Sequence, residues 1–174
     1  MKLSLTVLAL AAAAGIPAAA HQKATGVVKE RMELMERFDE LADRIFAMMH
    51  GELAYDPAAV RRAAEEISEG AGPHLTSLFP EGSSGAPSEA KAAIWRDFSR
   101  FENDAAALAD WSRALAAQAD RRPEGRLPKD WEDAVMGPGM MRGGGMMGNG
   151  GPVSAAWHVA AVCNACHAAF REED

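Results

Sequence analysis

Apolar residues return at three- and four-residue steps along four separate stretches of the chain. Each stretch reads as a helix with one face turned to a core. The first runs from Thr25 to His50, where Val28, Met32, Met35, Leu41, Ala42, Ile45 and Met49 keep the period. Leu34, Phe38 and Met48 widen its stripe, and Gly51 supplies a stop. The second opens at Tyr55-Asp56-Pro57, with Asp56 suited to the N-cap and Pro57 to the first helical position. Val60, Ala63, Ala64, Ile67, Ala71, Leu75 and Leu78 continue it, with a kink or break expected near Gly72-Pro73. Leu78-Phe79-Pro80 closes that element, and Glu81 to Pro87 is a loop by composition. Ser88 is expected to cap a long third helix reaching about Asp120. Its stripe is Ile94, Phe98, Phe101, Ala105, Leu108, Trp111 and Leu115, with Trp95 packed beside it. Arg121 to Pro152 breaks the pattern, apart from one short helical turn expected over Trp131 to Met136. Val153 to Glu172 makes the fourth helix, packed through Trp157, Val159, Ala160 and Phe170. No strand-like run competes, so the pattern predicts an all-α chain built as a four-helix bundle.

Composition and charge change this picture in three ways. The chain has 174 residues, enough for one domain with a sizeable core, and its 48% hydrophobic content is rich in helix-favouring alanine. The formal net charge of −7 argues against nucleic acid as a partner. Met1 to Ala20 has the form of a signal peptide: Lys2 at the start, an apolar run from Leu3 to Ala14, and small residues at Ala18-Ala19-Ala20. Cleavage near Ala20 would leave residues 21–174 as the bundle domain, in the periplasm. The apolar run is too short to span a bilayer and no second one approaches that length, so no stable membrane insertion is expected.

The densest chemistry is near the C-terminus, at Cys163-Asn164-Ala165-Cys166-His167. This is C-x-x-C-H, the attachment signal of a c-type haem. The two thiols add across the haem vinyl groups, and His167 offers an imidazole nitrogen to the iron. At about 100° per residue, the three side chains fall within an arc of roughly 100° on one helix face. A structural zinc site would need four protein ligands, and the chain has no other cysteine. A thioredoxin-like pair expects a βαβ setting, and a disulfide between residues three apart on a helix has poor geometry. The cofactor expected is one haem c, covalent through Cys163 and Cys166.

Other candidate ligands are weaker. Met136 to Gly151 is a glycine-rich stretch with five methionines. Thioethers suit Cu(I), but so many glycines also make a loop that does not pack. His21 is a copper ligand only on paper. His50, His74 and His158 lack a partner at metal-ligand spacing. By periodicity alone Met35 is a core methionine. Arg31 lies four residues before it and shares its face, as Arg171 does with His167.

Taken in order, these features resemble the cytochrome c′ family, the class II c-type cytochromes, over nearly the whole chain after the leader. Val28-Lys29-Glu30-Arg31 with Met35 is similar to that family's first helix, Tyr55-Asp56 to its second-helix start, and Leu78 to Gly82 to the loop that follows. Ile94-Trp95 resembles the third-helix entry, and Cys163 to Arg171 the ending C-x-x-C-H-x-x-[YF]-[RK]. The Met136–Gly151 loop departs from it as an insertion. The resemblance implies an antiparallel four-helix bundle with one covalently bound haem c in its core, often a homodimer through the first two helices. It implies Arg31 near the haem propionates, Met35 on the distal side of the iron and Arg171 near the proximal histidine. Metal ligation then falls to His167 and, as in the low-spin c-556 type, Met35. The expected function is one-electron carriage for an unidentified redox partner protein. The alternative is a five-coordinate haem that binds nitric oxide or carbon monoxide. No activated nucleophile, readable carboxylate pair or open metal triad suggests an enzyme.

Overall fold

The structure, a computed structural model, describes residues 24–124, 134 and 150–172. The expected signal peptide, His21 and nearly all of the Met136–Gly151 loop lie outside the described residues. So does the helical turn expected over Trp131 to Met136, apart from Ala134. Six helices are present among the described residues, four long and two of about one turn. α1 spans Gly26–His50 and stops where Gly51 turns left-handed at φ 80°. α2 spans Pro57–Gly70, and the Asp56 carboxylate accepts from the Ala58 and Ala59 N–H groups at 2.9 and 3.1 Å. The break expected near Gly72 is there: Gly72 has φ +58°, which favours glycine, and α3 restarts at Pro73–Ser77.

The third helix begins later than expected. Ser88 caps nothing long; its hydroxyl accepts from Ala90 N–H in a local turn. A single turn, α4 (Ala93–Arg96), comes first, and the long helix α5 (Phe98–Gln118) restarts at Asp97, whose carboxylate accepts from Arg100 N–H. α6 runs Gly151–Phe170, two residues earlier at each end than expected, with Pro152 in its first turn.

Paired residues give the direction of packing. Tyr55, Ser68 and Gly72 meet Ala119, Ala109 and Ala105, so α2 and α5 are antiparallel. The Phe101–Phe170 and Trp111–His158 ring contacts make α5 and α6 antiparallel, and the Arg37–Glu66 pair with the Leu34–Gly70 contact does the same for α1 and α2. Alanines let α2 and α5 approach until Ser68 Oγ donates to Ala109 O at 2.9 Å and Gly72 N–H to Ala105 O at 3.1 Å.

The core divides into two clusters. The larger holds Ile45, Met49, Val60, Ile67, Leu115 and Val159. The smaller holds Leu75, Leu78, Phe79, Ile94, Phe101, Ala105 and Phe170 at one end. Each of the larger side chains contributes roughly 1.5–3 kcal/mol by leaving water. Leu34 and Met35 of α1 pack against both clusters.

Candidate functional site

Alanine-rich and without a charged residue before Arg171, α6 is helical throughout its motif, so Cys163, Cys166 and His167 do share a face. Cys163 packs against the larger core cluster and Cys166 against the smaller, so the motif sits at their junction. Both cysteines are half-buried, while His167 is exposed as a residue. Burial pushes each thiol up to about 12, with the Asp104 charge adding to the effect on Cys166. Desolvation pulls His167 below its usual value, Arg171 adds to this, and Asp39 and Glu89 oppose it. The ring is therefore held toward its neutral form, the form that ligates iron.

Met35 of α1 packs at the same junction, against the clusters that receive the two cysteines. One turn earlier, Arg31 is only 2% exposed. Its guanidinium lies 4.8 Å over the Phe79 ring and donates to Ser83 Oγ at 3.1 Å and to Ser83 O at 2.5 Å. Desolvation lowers its pKa. The Ser83 loop is placed in turn by Trp95, whose Nε1–H donates to the Phe79 and Pro80 carbonyls at 3.0 Å. Trp95 is half-buried packing, as expected, and it also sets the position of the loop that holds Arg31.

Arg171 differs from its expected place. The helix ends at Phe170, and Arg171 has extended backbone, φ −105° and ψ 135°. Its backbone N–H still donates to His167 O at 2.9 Å, while its side chain turns to Glu89 at 2.6 Å and acts on the His167 ring through its charge.

Two residues here were not singled out from the sequence. Asn164, inside the motif, donates from Nδ2 to Ala134 O at 3.2 Å and so ties buried Ala134 to the haem-binding turn. Asp104 is a buried carboxylate on α5. A signal for it existed: it stands three residues after Phe101, within the arc of an apolar stripe. His158 is satisfied, with Nδ1 2.7 Å from Ser154 O and its ring stacked 3.8 Å from Trp111. Among the described residues no group of three or more His, Cys, Asp or Glu gathers to hold a metal ion, so zinc at Cys163 and Cys166 finds no further ligands there. The donor set fits a haem instead: two thiols and a neutral imidazole on one face, a thioether on α1, and apolar walls on both sides. Among the described residues no helix is long and apolar enough to cross a membrane.

The family model described as Cytochrome C′ matches residues 26–135. The chain is similar to a cytochrome c′ of Rhodopseudomonas palustris, 28% identical over 98% of this chain and 97% of the relative. It is similar at 29% identity to a cytochrome c-556 of Agrobacterium tumefaciens, over 84% of this chain and 97% of the relative. Among solved structures, a nitric oxide complex of a variant cytochrome c prime from Alcaligenes xylosoxidans shares the fold. The TM-score is 0.60 at 22% identity, covering 84% of this chain and 94% of that one.

Proposed function

Because the chain belongs to the cytochrome c′ family, whose members hold one covalent haem c and are not enzymes, we propose that it carries single electrons, its iron held between His167 and Met35. The observation behind this reading is the position of Met35 at the junction of the two clusters that receive Cys163 and Cys166. Bound there, the haem supplies the ferric–ferrous couple. Cys163 and Cys166 would hold it covalently, and the His167 imidazole, kept toward its neutral form, would supply a nitrogen ligand. The Met35 thioether would supply a second ligand, and a His/Met pair raises the potential into the range of electron-transfer cytochromes. Arg31, seated on Ser83, would lend its charge to the haem propionates. Arg171 keeps a positive field beside His167. The two apolar clusters, against which Met35, Cys163 and Cys166 pack, would wall the bound group and help hold Met35 in place.

The optical spectrum of the holoprotein, ferric and ferrous, tests this. A low-spin ferric spectrum with a sulfur–iron band and little response to carbon monoxide is expected, and Met35→Leu should convert it to high-spin. A high-spin wild type that takes up carbon monoxide readily overturns it. Gas binding then becomes the function, a reading supported by the nitric oxide complex of a structural neighbour. The same proposal puts the chain in the periplasm after removal of Met1 to Ala20 and pairs it as a homodimer through α1 and α2. Cell fractionation and sedimentation of the holoprotein check these two points.

A further inference from the structure

One buried acid has no part in that reading. Asp104 is 3% exposed, and its Oδ2 has no hydrogen-bond partner. Arg100, one turn back on α5, is the cation nearest in sequence. Its Nε is 4.0 Å from that oxygen, beyond hydrogen-bond reach, and its guanidinium lies 5.5 Å over the Phe170 ring. A carboxylate buried with so little compensation is costly in its charged form. Burial lifts its pKa above the ordinary carboxylate range, Arg100 opposes this and Asp97 adds to it. From α6 the ionisable group it acts on is Cys166, where its charge is the largest electrostatic influence on the thiol. α3 and α4 bring Leu75 and Ile94 to the adjoining cluster, while their His74 and Arg96 stay exposed. Asp104 stands on α5 between Phe101 and Ala105, two members of the cluster against which Cys166, the attachment point, packs.

We propose that Asp104 takes up a proton when the haem attached at Cys166 is reduced, which couples the charge of this acid to the redox state. The inference rests on the haem-carrier reading above. The balance is simple. The electron comes from the redox partner and the proton from solvent, and the carboxylate becomes a carboxylic acid. An added electron in a site of low dielectric repels a nearby carboxylate, so the acid holds its proton more tightly beside ferrous than beside ferric iron. Between those two pKa values the midpoint potential falls as pH rises. Above both it is level, held down by the fixed negative charge.

Spectroelectrochemical titration of the holoprotein across the acid and neutral range tests this. The wild type should show the slope. Asp104→Asn, of nearly the same shape and with the propionates intact, should lose it and lie at a higher potential than wild type at neutral pH. Asp104→Glu should keep a slope, displaced in pH. In the wild-type reduced-minus-oxidised infrared spectrum a protonated-carboxyl band should appear and move on carboxyl-13C labelling of aspartate. That measurement needs no variant if Asp104→Asn yields no holoprotein. An equal slope in Asp104→Asn, a level wild-type potential, or a missing band overturns the proposal. A high-spin iron that takes carbon monoxide would sink the carrier reading and leave this slope to be measured. A level potential in a low-spin protein would sink the coupling alone.

Discussion

Arg31 turns its guanidinium inward, which is unusual for a residue of its type. What makes this tolerable is the set of partners: the Phe79 face and two oxygens of Ser83. Removing the side chain would take a charged donor from two half-buried Ser83 oxygens. Arg31→Ala should therefore cost about 1.5–3 kcal/mol of stability, the range for hydrogen bonds to a charged group. Urea denaturation of the holoprotein measures this, and an unchanged midpoint would show the contacts to be idle. The sequence pointed to Arg31 through a resemblance, yet Ser83 is an ordinary loop serine until the fold brings it 52 residues back along the chain to α1. Asp104 was hidden for a related reason. A single acid in an apolar stripe looks like one on the edge of the helix until burial is known.

At the scale of elements, the contact between α1 and α2 depends on a missing side chain. A Cβ placed on Gly70 would lie 2.8 Å from Phe38 Cε1 and 3.0 Å from Leu34 Cδ1. Phe38 is buried and Leu34 packs against both clusters, so neither yields without disturbing the neighbourhood of Met35. Gly70→Ala should destabilise the holoprotein by roughly 1–3 kcal/mol, the usual cost of overpacking. A thermal melt that matches wild type would contradict it. Helix existence was legible from periodicity, and the Asp56 cap from its residue type just ahead of Pro57. The start of α5 was not. Ile94 and Phe98 are four residues apart and so in phase, and the break at Asp97, φ −131° and ψ 54°, leaves no trace in the apolar pattern.

At the scale of the molecule, the motif at Cys163 to His167 declared its cofactor, and the order of motifs declared the family. The partition of the core was not readable. It depends on which side chains of α1 face which end, and Leu34 and Met35 belong to both. The position of Arg171 was missed because a four-residue step along a helix does not reveal where the helix stops.

That stop has a consequence for motion. Beyond Phe170 the backbone pairs with the segment before α4: Lys91 N–H donates to Phe170 O at 2.8 Å, Glu172 N–H donates to Glu89 O at 2.8 Å, and Ala90 bridges Arg171. Terminal helical turns ordinarily fray and exchange their amide hydrogens early. Here the turn that bears His167 is stitched to a neighbouring segment from outside the helix. Native-state deuterium exchange should show the Lys91 and Glu172 amides protected together with the interior of α6, and early exchange at both would contradict this. A side chain three residues from a helix end is thereby held much as one in its middle would be.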